Sequence, residues 1–415
     1  MKKLYITGGS RLEGQVKISG MKNSALPIIY SCLLIKEDCV IHNVPRVSDI
    51  ENSLLILRSM GAIAEFCDTN TVLINTKNAS PIIKEKQLIS KMRASSYLMG
   101  SMLSRFNEAE IPMPGGCNFG SRPLDLHFDG FERLGASYVI DGGNISLRQS
   151  KRAKANKIAL KKVSVGATIN MILSVVIGKG ATIIENVAKE PHVDDLICFL
   201  NSAGANIKRF DNTIVCNGVS ELHGTEHCIY SDMIEALTYI TFVGICKGKL
   251  EIIYPNLEHI FNEIKIFEKM NFKFHKFCDR IVAEAQDNIT GAHVVTAPYP
   301  LFPTDLHPQF SSLLCYANGG GSVREEVFPT RFAYVEQLQK MGAEIKKSGN
   351  RVFINKSNMH SAVLDATDLR AGAALIAASL GAQGTSEINN VNYIVRGYDS
   401  FVEKISSIGG KINFL

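Results

Sequence analysis

A structural unit of roughly seventy residues recurs six times along this chain, and the repetition limits its possible folds more than any other feature. Near the end of each unit, just before a hairpin, an apolar residue is followed by a small or turn-forming residue. The apolar position is occupied by Met60, Leu134, Ala203, Met270, Met341 and Ile408, with successive spacings of 74, 69, 67, 71 and 67 residues. Such a period indicates one supersecondary unit used repeatedly.

Each repeat predicts the same order of elements, which is an apolar helix, a strand, a second helix and a β-hairpin. The first helices, such as 22–34 and 232–246, are apolar on most of their faces, as is typical of interior helices. In the second helices, such as 48–60, apolar residues recur every three to four positions. The hairpins, such as 206–216, alternate around Asp, Asn or Gly turns. The pattern predicts an α/β protein.

The sixth repeat contains only one hairpin strand, at 411–415, so its partner has to come from elsewhere. We expect the N-terminal stretch LYITGG to supply it, which would place the start of the chain in the C-terminal half. Six units suit two domains of three repeats each, 22–230 and 1–21 plus 231–415, with an active site in the cleft between them. A linear solenoid is the alternative, but buried first helices favour a closed three-fold arrangement.

Composition excludes several classes of protein. With 46% hydrophobic and 20% charged residues, the chain is an ordinary globular one, and no apolar run could span a bilayer. The start MKKLYITGG lacks the apolar stretch of a secretory signal. A net charge of +5 with dispersed basic residues does not indicate a nucleic-acid partner.

The ten cysteines form no C-x-x-C pair, so we expect neither a metal site nor a disulfide framework. Most lie in apolar segments and are predicted to be buried, which fits a reducing cytoplasm. The chain contains no Walker loop, and no G-x-G-x-x-G opens a helix after a strand, so no nucleotide cofactor is indicated.

Charged residues recur where the predicted helices begin. Acidic residues at these positions, including Asp49, Glu190, Asp232, Asp305 and Asp368, are explained as caps. Cations also occur there, and they are Lys22, Arg93, Arg122, Arg370 and Arg396. A helix start already carries partial positive charge, so a cation there is unfavourable unless an anion joins it. Five cations at equivalent positions indicate a polyanionic ligand.

A glycine-rich loop at 114–123 surrounds Cys117, and Arg122 follows five residues later. Such a loop is expected to face solvent. A thiol beside cations has a lowered pKa and can act as a nucleophile or a proton donor. The alternative is that Cys117 stands in the loop by chance, but its setting differs from that of the other cysteines.

Ordered motifs along nearly the whole chain resemble those of the enolpyruvyl transferases, in particular the branch that acts on UDP-N-acetylglucosamine. They are ISGMKNSALP at 18–27, NVPRVSDI at 43–50, MRAS at 92–95, PGGCNFGSRPLDLH at 114–127, KVSVGAT at 162–168, IIENVAKEP at 183–191, FPTDLHPQ at 302–309, VFPTRF at 327–332, ATDLRAGAAL at 366–375 and VRGYDSFVEK at 395–404. The resemblance implies two inside-out α/β domains of three repeats each.

The resemblance also implies the reaction, in which phosphoenolpyruvate is joined to the sugar 3′-hydroxyl and phosphate is released. This is the first committed step of peptidoglycan precursor synthesis. Cys117 would protonate the enol methylene and react with fosfomycin, and Asp305 would be the base. The residues implied to bind phosphoenolpyruvate are Lys22, Asn23, Arg122, Arg331, Arg370 and Arg396. Those implied for the sugar nucleotide are Asn23, Arg93, Arg122, Pro123, Leu124, Asp125, Leu126, Lys162, Val163, Ser164, Val165, Gly166, Asp305 and Val327.

Several positions depart from the usual family pattern. Met233 replaces an arginine and Leu237 a glycine near the domain junction, while Leu301 replaces a glycine and His307 a glutamine near Asp305. Phe119 replaces an aliphatic residue in the cysteine loop. Every residue with an implied chemical role is retained, so the reaction is expected to be retained as well. The alternatives are a divergent paralogue that uses another nucleotide sugar and a silent homologue that only binds ligands.

Overall fold

The computed structural model describes residues 3–115, 124–150 and 154–414. The predictions for Cys117, Phe119, Arg122 and Pro123 concern residues outside these ranges. The α-helices are α1 Lys22–Ser31, α2 Ser48–Ser59, α3 Lys86–Ile89, α4 Tyr97–Phe106, α5 Asp125–Arg133, α6 Val165–Val175, α7 Pro191–Ser202, α8 Met233–Cys246, α9 Phe261–Lys269, α10 His307–Leu314, α11 Tyr334–Lys340, α12 Leu369–Gly381 and α13 Phe401–Ser407.

The strands are short, and they include those of the predicted hairpins. They are β1 Leu4–Thr7, β2 Glu13–Lys17, β3 Cys39–His42, β4 Ile63–Phe66, β5 Val72–Asn75, β6 Glu108–Pro112, β7 Ala136–Asp141, β8 Asn144–Gln149, β9 Lys154–Ala159, β10 Lys179–Glu185, β11 Asn206–Phe210, β12 Thr213–Gly218, β13 Thr225–Cys228, β14 Lys249–Ile253, β15 Phe272–Lys276, β16 Arg280–Ala285, β17 Thr290–Val295, β18 Asn318–Arg324, β19 Ile345–Ser348, β20 Arg351–Ile354, β21 Val363–Asp365, β22 Thr385–Asn389 and β23 Lys411–Phe414.

The described residues form two compact units, and the chain passes from one to the other between Ser19 and Gly20 and back between Tyr230 and Ser231. The middle unit contains the sheets β13-β3-β5-β4, β6-β8-β7 and β11-β12-β10-β9. The terminal unit contains β15-β16-β14-β2, β17-β18-β20-β19 and β21-β22-β1-β23. Each sheet is built around the strand and hairpin of one sequence repeat.

Strand β1 completes the sixth repeat, as the sequence predicts. It pairs antiparallel with β23, with Leu4 opposite Phe414 and Thr7 opposite Lys411, and on its other side with β22. The N-terminal residues therefore belong to the same unit as the C-terminal residues.

A strand that the sequence pattern did not predict follows most hairpins and joins the next sheet in parallel. Strand β9 pairs with β10, and α6 is the crossover between them. Strand β13, which ends the middle unit, pairs in parallel with β3 of the first repeat. The last segment of the middle unit thus returns to its first sheet, so the linear solenoid is wrong.

The first helices of the repeats form the interior of each unit. All fourteen residues of α8 are buried, from Met233 to Cys246. In the terminal unit α8, α10 and α12 pack against one another, and in the middle unit α4 packs against α1 and α6. A helix that is apolar all round has to be covered on every side, so the sheets lie outside these helices. This arrangement confirms the predicted α/β class with interior helices.

The recurring phrase at the end of each repeat is a helix C-cap. The residue after its apolar member has φ between 74° and 98° in all six repeats, at Gly61, Gly135, Gly204, Asn271, Gly342 and Gly409. In the first repeat the Gly61 N–H bonds to Arg58 O at 3.0 Å, and the Ala62 N–H to Leu57 O at 3.2 Å. Only glycine, or asparagine at some cost, adopts this left-handed conformation readily, so the period seen in the sequence is a period of helix ends.

Candidate active site

Two buried arginines of the terminal unit converge on the carboxylate of Asp305. Arg331 donates from Nη1 to Asp305 Oδ1 at 2.7 Å, and Arg370 donates from Nε and Nη2 to Oδ2 at 3.2 and 3.1 Å. The arginine side chains are only 3% and 4% exposed, whereas that of Asp305 is 29% exposed. The structure thus brings together three predicted site residues from the fifth and sixth repeats, with the carboxylate on the solvent side.

The arginines decide the charge of Asp305. Burial alone would raise the pKa of this carboxyl, but Arg370 and Arg331 outweigh burial and hold the pKa well below its ordinary value. Asp305 is therefore a carboxylate at neutral pH. With both oxygens bound to guanidinium groups, it is a weak base in this state.

Arg370 is oriented by groups on its other side. Its Nη1 donates to the Tyr398 hydroxyl at 3.1 Å, and its guanidinium carbon lies 5.5 Å from the centre of that ring. Gln309 donates to the same hydroxyl at 3.1 Å. Asp368 caps helix α12 by accepting from the backbone N–H groups of Arg370 and Ala371, at 2.9 and 3.1 Å. Tyr398 and Gln309 were not predicted as site residues.

In the middle unit, Lys22 and Asp49 form an ion pair. Lys22 is the first residue of α1 and Asp49 lies in the first turn of α2. The Nζ–Oδ2 distance is 2.9 Å, and the side chains are 13% and 6% exposed. The lysine at this helix start is therefore held by a carboxylate from the next helix, in a largely buried setting.

The start of α6 packs against a buried histidine, His127, which no sequence pattern marks as a site residue. Ser164 Oγ accepts from the Ala167 N–H at 3.3 Å and caps α6. A Cβ on Gly166 would lie 2.9 Å from Cε1 of His127, so only glycine permits this approach. Burial, and secondarily the charge of Arg93, lower the pKa of His127 to about 3, so the ring is neutral. Three predicted elements, the Arg93 turn, α5 and the α6 start, therefore meet at His127.

The tautomer of His127 follows from its neighbour. Asn170 Oδ1 accepts from the Gly100 N–H at 2.9 Å, which identifies the other end of the amide as the donor. Asn170 Nδ2 then donates to His127 Nδ1 at 2.8 Å, so the proton of the neutral ring is on Nε2, on the Gly166 side.

For the other predicted residues the structure gives position and burial, and their roles stay predictions. Lys162 and Val163 are exposed just before α6, and Leu124 is buried just before α5, whose first residues are Asp125 and Leu126. Asn23, Arg93, Arg396, Val165 and Val327 are half-buried. Glu190 is the N-cap residue of α7, although its side chain makes no cap hydrogen bond.

The α8 start carries two buried carboxylates. Asp232 caps α8 by accepting from the Ile234 N–H at 2.8 Å and the Glu235 N–H at 3.2 Å. Glu235 accepts from Lys404 Nζ at 2.6 Å and from the Ser19 N–H at 2.9 Å. Burial raises the pKa of both carboxyl groups. The nearby cation lowers it in part, which is Arg370 for Asp232 and Lys404 for Glu235. Met233 between them is buried.

Burial was predicted for most of the cysteines, and of the nine that the structure describes five are buried and four are exposed. Cys67, Cys198, Cys228 and Cys278 are exposed, whereas Cys32, Cys39, Cys216, Cys246 and Cys315 are buried. Cys67 and Cys278 lie in hairpin turns, between β4 and β5 and between β15 and β16, where a side chain has no sheet to cover it. Exposure therefore does not by itself distinguish Cys117.

A family model described as EPSP synthase (3-phosphoshikimate 1-carboxyvinyltransferase) matches residues 6–405. The chain belongs to this enolpyruvyl transferase family. Proteins named UDP-N-acetylglucosamine 1-carboxyvinyltransferase from Halothermothrix orenii and Clostridium botulinum are 40% and 39% identical to it, over 99% of each chain. One from Thermotoga petrophila is 37% identical over 100% of this chain and 99% of its own. The chain is thus an enolpyruvyl (1-carboxyvinyl) transferase.

Solved structures of other enolpyruvyl transferases share the fold. The enolpyruvyl transferase NikO from Streptomyces tendae superposes with a TM-score of 0.91 at 23% identity, covering 100% of this chain and 98% of its own. EPSP synthase from Acinetobacter baumannii superposes with a TM-score of 0.76 at 15% identity, covering 100% of both chains. At these identities the likeness concerns the fold alone, and it agrees with the repeat architecture.

Two further findings concern only residues 3–115, 124–150 and 154–414. No helix among them is long and apolar enough to cross a membrane. No group of three or more His, Cys, Asp or Glu side chains among them is placed to hold a metal ion.

Proposed function

We propose that this enzyme transfers the enolpyruvyl group of phosphoenolpyruvate to the 3′-hydroxyl of UDP-N-acetylglucosamine and releases phosphate, as the first committed step of peptidoglycan precursor synthesis. The observation that carries the proposal is the pair of buried guanidinium groups, Arg331 and Arg370, that converge on the half-buried carboxylate of Asp305. Guanidinium groups bind carboxylates through paired hydrogen bonds, so the pair suits the carboxylate of phosphoenolpyruvate. The names of the full-length relatives support the choice of acceptor.

The substrate carboxylate would also activate the base. Both oxygens of Asp305 are now bound to arginines, which weakens it as a proton acceptor. A second carboxylate that takes over part of the Arg331 and Arg370 hydrogen bonds would release one oxygen of Asp305 and raise its pKa. Asp305 would then accept the proton of the 3′-hydroxyl as the sugar oxygen attacks C2 of phosphoenolpyruvate.

The remaining steps need an acid and an anion site. Cys117 would donate a proton to the methylene carbon of phosphoenolpyruvate, which gives a tetrahedral adduct at C2. Loss of a proton from the new methyl group and cleavage of the C2–O bond then release phosphate. Lys22, Arg122 and Arg396 would bind the phosphate group, and the ion pair with Asp49 orients the lysine for this role.

The sugar nucleotide would be bound mainly by the middle unit, at Arg93, 122–126 and 162–166, with Asn23 nearby. The capped start of α6 offers backbone N–H groups and partial positive charge to a diphosphate. Asp305 and Val327 of the terminal unit would contact the sugar. A thiol that has to stay reduced fits a cytoplasmic reaction.

The proposal is tested by measuring phosphate release with phosphoenolpyruvate and a panel of nucleotide sugars, together with the mass of the product. We expect rapid release with UDP-N-acetylglucosamine and a product heavier by one enolpyruvyl group. Faster turnover with another nucleotide sugar would reassign the acceptor. Binding of phosphoenolpyruvate without turnover of any acceptor would contradict the proposed function.

A further inference from the structure

Behind Asp305 and Arg331 lies a fully buried carboxylate, Glu325, for which the family resemblance gave no role. Its side chain has no solvent exposure, and neither has the side chain of His307 beside it. A buried carboxylate is unfavourable unless hydrogen bonds satisfy both of its oxygens. Glu325 meets this condition with four donors, which come from two segments of the terminal unit.

One oxygen of Glu325 fixes the turn that leads to Arg331. Oε1 accepts from the backbone N–H of Val327 at 2.8 Å and from that of Phe328 at 2.7 Å. Two short bonds to successive N–H groups set the direction of the chain between strand β18 and Arg331. The same bonds set the position of Val327, which is proposed to contact the sugar nucleotide.

The other oxygen of Glu325 reaches Arg331 through Thr304. Oε2 accepts from the Thr304 hydroxyl at 2.8 Å. Arg331 Nη1 in turn donates to the hydroxyl oxygen and to the carbonyl oxygen of Thr304, at 3.2 and 3.1 Å, as well as to Asp305. The carboxylate therefore orients the hydroxyl that supports the arginine.

His307 holds Glu325 in place. Its Nδ1 lies 3.0 Å from Glu325 Oε2 and has to be the donor, because a carboxylate only accepts. Its Nε2 lies 2.6 Å from the Tyr334 hydroxyl. Burial lowers the pKa of His307, although the charge of Glu325 opposes this effect. Of the other facing charges, Arg331 lowers the pKa and Asp368 raises it. The ring is therefore neutral, and it donates at Nδ1 and accepts at Nε2.

We propose that Glu325, oriented by His307, is a positioning residue that places both Arg331 and the Val327 turn for substrate binding. This inference rests on the proposed function for the identity of the two substrates. Glu325 then has two separate effects. Through Oε2, Thr304 and Arg331 it affects the binding of phosphoenolpyruvate. Through Oε1 and Val327 it affects the binding of the sugar nucleotide.

Substitutions distinguish the effect of Glu325 on Arg331 from its effect on Val327. Thr304→Val removes the hydroxyl between Glu325 and Arg331 while leaving the Val327 and Phe328 bonds, and Thr304→Ser restores it. We expect Thr304→Val to raise the KM for phosphoenolpyruvate about tenfold with little change in the KM for UDP-N-acetylglucosamine, and Thr304→Ser to behave like the parent. Glu325→Gln should raise both KM values. The exposed neighbour Glu326, paired with Arg324 at the surface, gives the matched control Glu326→Gln.

His307 is tested by two replacements. A glutamine can donate to Glu325 and accept from Tyr334, so His307→Gln should keep both KM values within about twofold, whereas His307→Leu should raise both. Equal effects of the two replacements would contradict the role of His307. Equal KM values for Thr304→Val and Thr304→Ser would contradict the proposed effect of Glu325 on Arg331.

A measurement without substrates distinguishes failure of this inference from failure of the proposed function. Hydrogen exchange of the amides of Val327 and Phe328 should be faster in Glu325→Gln than in Glu326→Gln, because the first loses a charged acceptor. If the parent enzyme releases no phosphate but exchange responds in this way, the reaction assignment fails and the positioning role stands. Unchanged exchange overturns the positioning role; if Glu325→Gln does not fold, His307→Leu takes its place in this comparison.

Discussion

Arg370 places two nitrogens on one carboxylate oxygen of Asp305, with Nε at 3.2 Å and Nη2 at 3.1 Å. Since Arg331 binds the other oxygen, Asp305 neutralises part of the charge of two buried arginines while no substrate is bound. The same carboxylate therefore has a structural role in the free enzyme and a proposed chemical role during turnover.

Asp305→Asn should lower kcat at least ~100-fold, because an amide cannot accept the proton of the sugar hydroxyl. Binding of UDP-N-acetylglucosamine should be nearly unchanged, since the amide keeps the shape of the side chain. Steady-state kinetics and calorimetric titration measure the two quantities. Asp287→Asn, at a side chain that is 87% exposed, is the control. More than roughly a tenth of the parent activity in Asp305→Asn would exclude Asp305 as the base.

Asp305→Asn should also destabilise the free enzyme at neutral pH, by roughly 2 kcal/mol, because both guanidinium groups lose a charged acceptor. The folded-state pKa of Asp305 is depressed, so its contribution is fully present above the ordinary aspartate pKa and is lost as the pH falls. The difference in Tm between parent and variant should therefore be constant from pH 6 to 8 and should shrink below about pH 4. A difference that grows on acidification would contradict this account.

Fosfomycin should alkylate Cys117, and more readily in the presence of UDP-N-acetylglucosamine. The exposed thiols of Cys67, Cys198, Cys228 and Cys278 are internal controls, because iodoacetamide should label them while fosfomycin should not. Peptide mapping by mass spectrometry identifies the labelled residue. Cys117→Asp should keep partial activity and resist the drug, since a carboxyl group can donate a proton but forms no thioether. Labelling of another cysteine at saturating drug would remove the assignment.

Lys404→Met should destabilise the terminal unit by about 3 kcal/mol near pH 7, because it leaves the carboxylate of Glu235 buried without its counter-charge. Burial already raises the pKa of Glu235 and loss of Lys404 raises it further, so the variant loses stability as the pH rises through the raised folded-state pKa of the parent. The loss should therefore diminish as the pH falls below this raised pKa, before the ordinary glutamate pKa is reached. Denaturant unfolding at several pH values measures it, and the double variant Glu235→Gln, Lys404→Met should recover part of the stability. An equal loss at low and neutral pH would indicate a packing effect instead.

Helix and hairpin positions could be predicted because both have local signals. The left-handed residue after each second helix leaves glycine or asparagine in the sequence, and apolar periodicity marks the helices on either side. Strand β13 has no such signal: its four residues, Thr225–Cys228, include charged and polar side chains, and its partner β3 lies far earlier in the chain. Its existence depends on pairing across the unit and not on local preference.

The site was predictable to the extent that charge at helix starts is visible in the sequence. Lys22, Asp305, Arg331 and Arg370 were identified, but the bonds of both arginines to Asp305 depend on tertiary packing. Glu325 and Tyr398 were missed, because a single polar residue next to apolar ones does not reveal whether it is buried. The sequence signal that could have found Glu325 is the pair of turn-forming residues after it, Pro329 and Thr330, before an arginine.

The pairing of β1 with β23 has a consequence for how the chain acquires its structure. The described residues of the middle unit all lie between Gly20 and Tyr230, so all of its strand partners have been synthesised once Tyr230 has been added. In contrast, Leu4 cannot pair until Phe414 has been synthesised, and β2 cannot pair until β14 has been synthesised. Contacts between residues so distant in sequence form slowly, because a long loop has to close first. Residues 4–19 are therefore synthesised before the middle unit but are among the last to be fixed in the structure, after a unit that follows them in sequence can already fold.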